Sequence, residues 1–168
     1  MQDVATQKIT PFLWFDREAE QAAAFYTSVF ERSKIVDVMH YGEAGPGERG
    51  SVMSVTFEVD GQTFIALNGG PNPHMAFSPA VSFFIRCRTQ NEVDRLWDKL
   101  GEGGERLQCG WLRDKFGVTW QVVPSVLGDM LRDADRGRAA RVMRSMMQMF
   151  KLDIAQLRRA YDGDGDAL

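Results

Sequence analysis

The chain has 168 residues, which is enough for one domain with a substantial hydrophobic core. Its formal net charge of −3 gives no reason to expect nucleic acid or an anionic membrane as a partner. No apolar run approaches the roughly 20 residues that span a bilayer, and Met1–Gln7 lack the basic and apolar segments of a signal peptide. We therefore expect a cytoplasmic globular protein in which Cys87 and Cys109 are reduced core thiols.

The first part of the chain predicts a strand, a helix and three further strands. Because Pro11 cannot donate to a β-ladder, the first strand is expected at a sheet edge or a bulge. Asp16 is placed to cap the helix, and Asp60-Gly61 is a strong signal for a tight hairpin turn. The predicted elements are a strand at Lys8–Phe15, a helix from Asp16 to Phe30, and strands at Ser33–Tyr41, Ser51–Val59 and Gln62–Leu67.

The same order of elements then returns. The apolar stripes of the two predicted helices superpose at a separation of 71 residues, which matches Phe25 with Leu96. The same separation lays the strand segment Phe12–Trp14 on Phe83–Ile85. This match predicts an internal βαβββ repeat whose second copy has shorter hairpins. The elements of that copy are a strand at Ala80–Cys87, a helix at Gln90–Leu100, a strand near Glu105–Gln108, and hairpin strands at Cys109–Leu112 and Val118–Val123.

Three helices are predicted after Pro124, at Ser125–Arg132, Asp135–Phe150 and Asp153–Tyr161. The middle helix carries too many apolar residues for one narrow face, namely Val142, Met143, Met146, Met147, Met149 and Phe150. We interpret these helices as an arm that covers the β-domain or a partner subunit, and a mobile lid over a ligand remains an alternative. Exposed methionines on such an arm would form a large apolar patch, which predicts a homodimer.

The second hairpin carries a D-x-x-G-x-x-x-[EQ] pattern at Asp114, Gly117 and Gln121. Two βαβββ modules closed by this hairpin resemble the vicinal oxygen chelate superfamily of glyoxalase I, extradiol dioxygenases and bleomycin resistance proteins. Within it, the chain is similar to the PhnB-like family, often labelled 3-demethylubiquinone-9 3-methyltransferase. The segments that carry this resemblance are KITPFLWFD, YGEAGPGERGSVMSV, FIALNGGP and QCGWLRDKFGVTWQVVP, and it extends over about residues 8–162.

The resemblance implies an α+β fold in which two modules form a pair of half-barrels around one cleft. Module one is expected at residues 8–69 and module two at 80–124, within a glyoxalase/bleomycin-resistance-like domain at 8–124. The helices at 125–162 form a C-terminal helical extension to that domain. Together these expectations describe the predicted fold and domain organisation.

The resemblance also implies where metal ligands would lie in metal-dependent relatives. Carried onto this chain, those positions fall near Pro11 and Ser82 in the first strands, and near Ala66 and Gln121 in the last strands. Divalent first-row metals require imidazole, carboxylate or thiolate ligands, which these residues do not supply. The chain has only two histidines, and neither is at these positions. We therefore expect no metal and no cofactor.

A cleft of this kind is expected to bind a small organic molecule of partly aromatic character. By strand parity, the residues predicted to line it are Asn68, Ser82, Phe84, Trp111 and Gln121. The alternative is ordinary barrel packing in which Asn68 and Gln121 are hydrogen-bonded to the backbone. The sequence leaves this alternative open.

Three functions follow from these expectations. The first is a metal-free protein that binds a small organic ligand without proven turnover. The second is an enzyme acting on a quinone-like or aromatic substrate, including methyl transfer, but Gly42–Gly50 and Gly101–Gly104 lie in the wrong context for an S-adenosylmethionine site. The third is sequestration of a drug.

His74 as a general base and Cys109 as a nucleophile are weak candidates, so catalytic residues stay unassigned.

Overall fold

A computed structural model describes residues 7–164, so the predicted polar start of the chain at residues 1–6 lies outside it. The chain divides into two compact units after Ala76. None of the described helices is long and apolar enough to cross a bilayer. The first unit contains β1 (Phe12–Phe15), α1 (Ala19–Val29), β2 (Lys34–His40), β3 (Val52–Val59) and β4 (Gln62–Asn68). The second contains β5 (Phe83–Cys87), α2 (Gln90–Gly101), β6 (Glu105–Arg106), β7 (Trp111–Arg113), β8 (Thr119–Pro124), α3 (Ser125–Leu131), α4 (Arg136–Met147) and α5 (Ile154–Asp162).

The first unit is a four-stranded sheet in the order β1-β4-β3-β2, with β1 parallel to β4 and the other pairs antiparallel. The edge position of β1 confirms the prediction from Pro11, although the strand begins only at Phe12. One face of the sheet packs against α1, where Tyr26 and Phe64 stack on either side of Phe57 at 6.0 and 5.5 Å between ring centroids. The other core residues are Leu13, Phe15, Ala22, Ala23, Val29, Val55, Val59 and Ala66.

The start of α1 differs from the prediction. The helix begins at Ala19, and the residue before it makes no side-chain capping bond. The Asn68 side chain supplies the acceptor instead, because its Oδ1 accepts from the Ala19 backbone N–H at 2.8 Å. A cap from a distant strand leaves no local sequence signal, so the prediction that Asp16 caps this helix was wrong.

The second unit repeats the topology of the first, in the order β5-β8-β7-β6 with β5 parallel to β8. The helix α2 begins with a side-chain cap from Thr89, which accepts from the Glu92 N–H at 3.2 Å. The residues buried in this layer are Cys87, Val93, Leu96, Trp97, Leu100, Leu112, Trp120 and Val122. The predicted βαβββ order is therefore present in both units.

The separation between the two copies is 71 residues in the helices but 72 in the first strands, where Phe15 corresponds to Cys87. The cause is a loop that is one residue longer in the first unit, Asp16–Glu18 against Arg88–Thr89. A shift of one residue turns a strand over. The predicted superposition of Phe12–Trp14 on Phe83–Ile85 therefore placed opposite sheet faces on each other and was wrong.

The turns at the two hairpins follow the predicted chemistry. Asp60 and Gly61 both have positive φ, at 48° and 81°, as a two-residue hairpin turn requires. Gly117 has φ of +89°. The predicted strand Cys109–Leu112 starts later, at Trp111, because Cys109 has φ of 61° and its backbone N–H bonds to the Met149 carbonyl at 2.7 Å.

Asp114 has a larger part in the second hairpin than a surface turn residue would. Its side chain is only 3% exposed. It accepts hydrogen bonds from the backbone N–H groups of Phe116 and Val118, at 2.9 and 3.0 Å. The Trp120 indole N–H donates to the other carboxylate oxygen at 2.8 Å. The carboxylate therefore holds both the turn and the adjacent strand.

The C-terminal helices pack on one another around a core of Val123, Leu127, Met130, Val142, Met149, Leu152 and Leu157. They are joined to α2 through Gln90, whose amide donates to the Leu152 carbonyl at 3.1 Å and accepts from the Ile154 N–H at 2.8 Å. Asp153 caps α5 by accepting from the Gln156 N–H. On α4, Met143 and Met147 are exposed, whereas Met146 packs against the core. The homodimer stays a prediction.

Candidate functional site

Each sheet has a face turned away from its own helix, which we call its distal face. On the second sheet the distal face consists of Ser82, Phe84, Arg86, Trp111, Arg113, Thr119, Gln121 and Val123, by strand parity and register. Gln121 on β8 lies between Phe84 on β5 and Trp111 on β7 as a direct Cα partner of both. Phe84 is 51% exposed, and Trp111 and Gln121 are half-buried. Four of the five predicted ligand-binding residues therefore share this face.

Gln121 is held by one side-chain hydrogen bond. Its amide nitrogen donates to the Ser82 hydroxyl oxygen at 2.9 Å. That bond leaves the Gln121 carbonyl oxygen and the Ser82 hydroxyl proton without a partner among the described residues. A primary amide and a hydroxyl can make several further hydrogen bonds between them, so this pair has both a donor and an acceptor to offer.

Thr119 adds a third polar group to this face, and the sequence prediction missed it. It precedes Gln121 by two residues on β8 and so lies on the same face. Thr119 is 2% exposed, and its hydroxyl has no hydrogen-bond partner within the described structure. A buried polar atom without a partner costs on the order of 1–3 kcal/mol, so it calls for an explanation. Strand parity with Gln121 could have identified this residue.

Arg86 was also missed. It follows Phe84 by two residues on β5, and its guanidinium carbon lies 5.5 Å from the centre of the Phe84 ring. That distance is within the range of a cation–π contact. The other arginine of this face, Arg113, is paired with Glu105 on β6.

Asn68, the fifth predicted ligand-binding residue, lies on the helix side of the first sheet. It is the Cα partner of the buried Phe15. Besides accepting from Ala19, its amide donates to the Val52 carbonyl at 3.1 Å. Both side-chain hydrogen bonds are thus made with the backbone, as the packing alternative expects. Ligand binding by Asn68 stays a prediction.

The distal face of the first sheet is mostly apolar at the matching positions. There Phe12 lies beside Ile65, which lies beside Thr56. Ala66, to which the ligand position of relatives was assigned, is buried on the helix side, so Ile65 is the true counterpart of Gln121. Phe12 is 57% exposed.

These positions do not suit the metal that the superfamily resemblance implies. The first unit has Phe12 and Ile65 here, and the second unit has Ser82 and Gln121. None of these side chains supplies a charged or imidazole ligand for a metal. Within residues 7–164, no three His, Cys, Asp or Glu side chains lie close enough together to hold a metal ion. The side chains at this site are therefore unsuited to holding a catalytic metal ion.

The weak catalytic candidates gain no support from their surroundings. His74 is exposed in the loop between β4 and β5, where its backbone N–H bonds to the Asn72 side chain at 3.0 Å. The Cys109 thiol contacts the Met147 thioether at 3.6 Å, and no described histidine hydrogen-bonds to it. Burial raises the pKa of the Cys87 thiol to about 12, which keeps it protonated.

Comparison with protein families finds a family model that matches most of the chain. The model of a family described as 3-demethylubiquinone-9 3-methyltransferase matches residues 7–123, well over half of the chain. The chain belongs to this PhnB family. The family match ends just before α3, so the C-terminal helices follow it. A search among curated proteins finds no match.

Several solved structures are similar to this chain. The PhnB protein from Bacillus cereus is 41% identical with a TM-score of 0.65, over 70% of this chain and 99% of that chain. Protein PA1353 from Pseudomonas aeruginosa is 22% identical with a TM-score of 0.60, over 69% and 96%. A glyoxylase/bleomycin resistance protein/dioxygenase domain from Frankia sp. EAN1pec is 14% identical with a TM-score of 0.42, over 66% and 91%. The predicted family and the α+β fold class with C-terminal helices are thus confirmed.

Proposed function

We propose that this PhnB-family protein binds a small, partly aromatic organic molecule on the distal face of its second sheet. Phe84 and Trp111 supply ring surfaces on either side of Gln121. Aromatic surface with a few convergent polar groups is the usual composition of a small-molecule site. The ligand's ring packs on these side chains, and its polar substituent bonds to the amide and hydroxyl groups.

The observation that carries this proposal is the unused hydrogen-bonding capacity of the face. The Thr119 hydroxyl is buried without a partner, and Gln121 and Ser82 make only the bond to each other among the described residues. Native proteins rarely leave such groups unpaired without a reason. Gln121 and Ser82 are partly exposed, so a polar group of a ligand supplies the partners that these two side chains lack.

The proposal is tested by titrating ¹⁵N-labelled protein with 4-ethylphenol, a neutral aromatic alcohol. The Gln121 side-chain amide and the Trp111 indole signals should shift and saturate. Gln121→Ala should weaken binding about fivefold, because a neutral hydrogen bond contributes roughly 1 kcal/mol. Gln62→Ala is the matched control, since Gln62 is an exposed glutamine on β4, the strand that corresponds to β8. Signals that do not move, or equal binding by both variants, would reject the proposal.

Methyl transfer, which the family description names, would require a site for S-adenosylmethionine. Enzymes of the doubly wound type hold that cofactor at a glycine-rich turn between a strand and a helix. The described strand-to-helix connections are Asp16–Glu18, Arg88–Thr89 and the direct junction of β8 with α3 at Pro124–Ser125, and none of them contains glycine. These residues do not suit the cofactor, so methyl transfer is not the function we propose. Saturable, stoichiometric binding of S-adenosylmethionine in isothermal titration would overturn that choice.

A further inference from the structure

Arg86 differs from the other arginine of the distal face in having no carboxylate partner. The Arg113 guanidinium is neutralised by Glu105 on the neighbouring strand. Arg86 contacts the Phe84 ring, and no described carboxylate forms an ion pair with it. The remaining residues of the distal face are uncharged. The face therefore carries one uncompensated positive charge, located beside its aromatic residues.

The spacing of this charge along β5 fits a ligand of defined length. Phe84 and Arg86 lie on one face of β5, so their Cα atoms are about 6.6 Å apart, and Ser82 directly precedes this strand. The polar pair Ser82–Gln121 lies at one end of this line and the guanidinium at the other, with the Phe84 ring between them. A guanidinium presents a planar fork of donors that matches a carboxylate.

We propose that Arg86 makes this site selective for an aromatic molecule that bears a carboxylate. The ring packs on Phe84, the carboxylate binds the Arg86 guanidinium, and a hydroxyl or carbonyl at the opposite end of the ligand binds Gln121 and Ser82. This inference rests on the proposed function, because it specifies the charge of the molecule that the same face binds. The ligand is expected to be an anion, because an anion gives Arg86 the charged partner that the described structure does not provide.

The experiment compares 3-(4-hydroxyphenyl)propionate with its amide, 3-(4-hydroxyphenyl)propanamide. The two probes share the ring and the hydroxyl and differ in the charge. ¹⁵N NMR titrations at low salt should show the acid binding about fivefold more tightly than the amide, since a well-oriented but exposed ion pair contributes up to about 1 kcal/mol. Added salt should reduce this preference. Arg86→Gln should abolish it, so that the variant binds the acid and the amide equally.

Arg144→Gln is the matched control, because Arg144 is an exposed arginine that lies on α4 and not on a strand of the second sheet. This variant should keep the preference for the acid. Equal affinity of the acid and the amide for the unmodified protein would overturn the role of Arg86 and leave the proposed function standing, provided that both probes shift the Gln121 signal. A preference for the acid that persists in Arg86→Gln would also overturn it. Failure of both probes and of 4-ethylphenol to shift that signal would overturn the inference and the proposed function together.

Discussion

The first sheet and the second sheet have the same strand order and register but different chemistry on their distal faces. The central row of the first sheet is Phe12, Ile65 and Thr56, whereas that of the second is Phe84, Gln121 and Trp111. The phenylalanines are exposed to a similar extent, at 57% and 51%. The difference therefore lies in the other two strands of the row. On β8 the amide of Gln121 stands where β4 has Ile65, and on β7 the indole of Trp111 stands where β3 has Thr56.

The two units also use their buried polar groups differently. In the first unit the Asn68 amide joins α1 to β3, and the Tyr41 hydroxyl donates to the Asn68 carbonyl at 2.7 Å. In the second unit the Thr119 hydroxyl is left without a partner among the described residues. The two copies of the repeated backbone thus differ in whether these polar side chains find partners within the described structure.

The largest effect is expected at the hairpin turns. Asp114→Asn should lower the free energy of unfolding by about 3 kcal/mol, because an amide cannot accept all the bonds that this buried carboxylate accepts. Asp60→Asn, in the corresponding turn of the first sheet, loses only an exposed ion pair with Arg32 and should cost less than about 0.5 kcal/mol. Urea denaturation of both variants measures the difference, and equal losses would contradict this account of the turns.

A smaller effect separates the two predicted amide residues. Asn68→Ala should lower the free energy of unfolding by about 2 kcal/mol, because it removes two bonds to the backbone, one of them at the start of α1. Gln121→Ala loses one bond to a side chain and should cost less than about 1 kcal/mol. Thermal and urea unfolding provide the measurement. A cost at Gln121 as large as that at Asn68 would make Gln121 a core residue.

Thr119→Val should have the opposite sign. Replacing an unpaired buried hydroxyl by a methyl group should raise the free energy of unfolding by about 1 kcal/mol. Thr56→Val, in the central row of the first sheet, serves as the control and should change stability by less than about 0.5 kcal/mol. Loss of stability in Thr119→Val would show that the hydroxyl already has a partner.

The smallest effect concerns pH and the helices attached to the second unit. The hydrogen bond from Lys151 lowers the pKa of the Asp94 carboxyl, followed by the bond from Gln90. The stabilisation is therefore present above the ordinary aspartate value of 3.8 and is lost as the pH falls below it. Because both side chains are about 40% exposed, the loss should be slight. Lys151→Met should remove this part of the acid dependence of the urea midpoint, and an unchanged dependence would argue against the pair.

Much of the fold follows from local patterns. The helix stripes, the Asp60-Gly61 turn and the glycine at position 117 each depend on residues close in sequence, and each was predicted correctly. The face assignments were harder, because one extra residue before α1 reverses the match between the first strands. The hydrogen bond from Ala19 to Asn68 was not predicted, because the two residues are far apart in the chain. Ser82, Phe84, Trp111 and Gln121 were correctly predicted to share one face of a sheet. This was possible because the alternation of side chains along a strand depends only on neighbouring residues.

The most direct test of the account is an NMR map of where 3-(4-hydroxyphenyl)propionate binds to the ¹⁵N-labelled protein. We expect saturable shifts of the Gln121 side-chain amide, the Trp111 indole and the Thr119 backbone amide, which lie on the distal face of the second sheet. The Ile65 backbone amide, at the matching position of the first sheet, should stay in place. Shifts centred on Ile65, or no saturable shift at Gln121, would contradict the assignment of the ligand site to the second sheet.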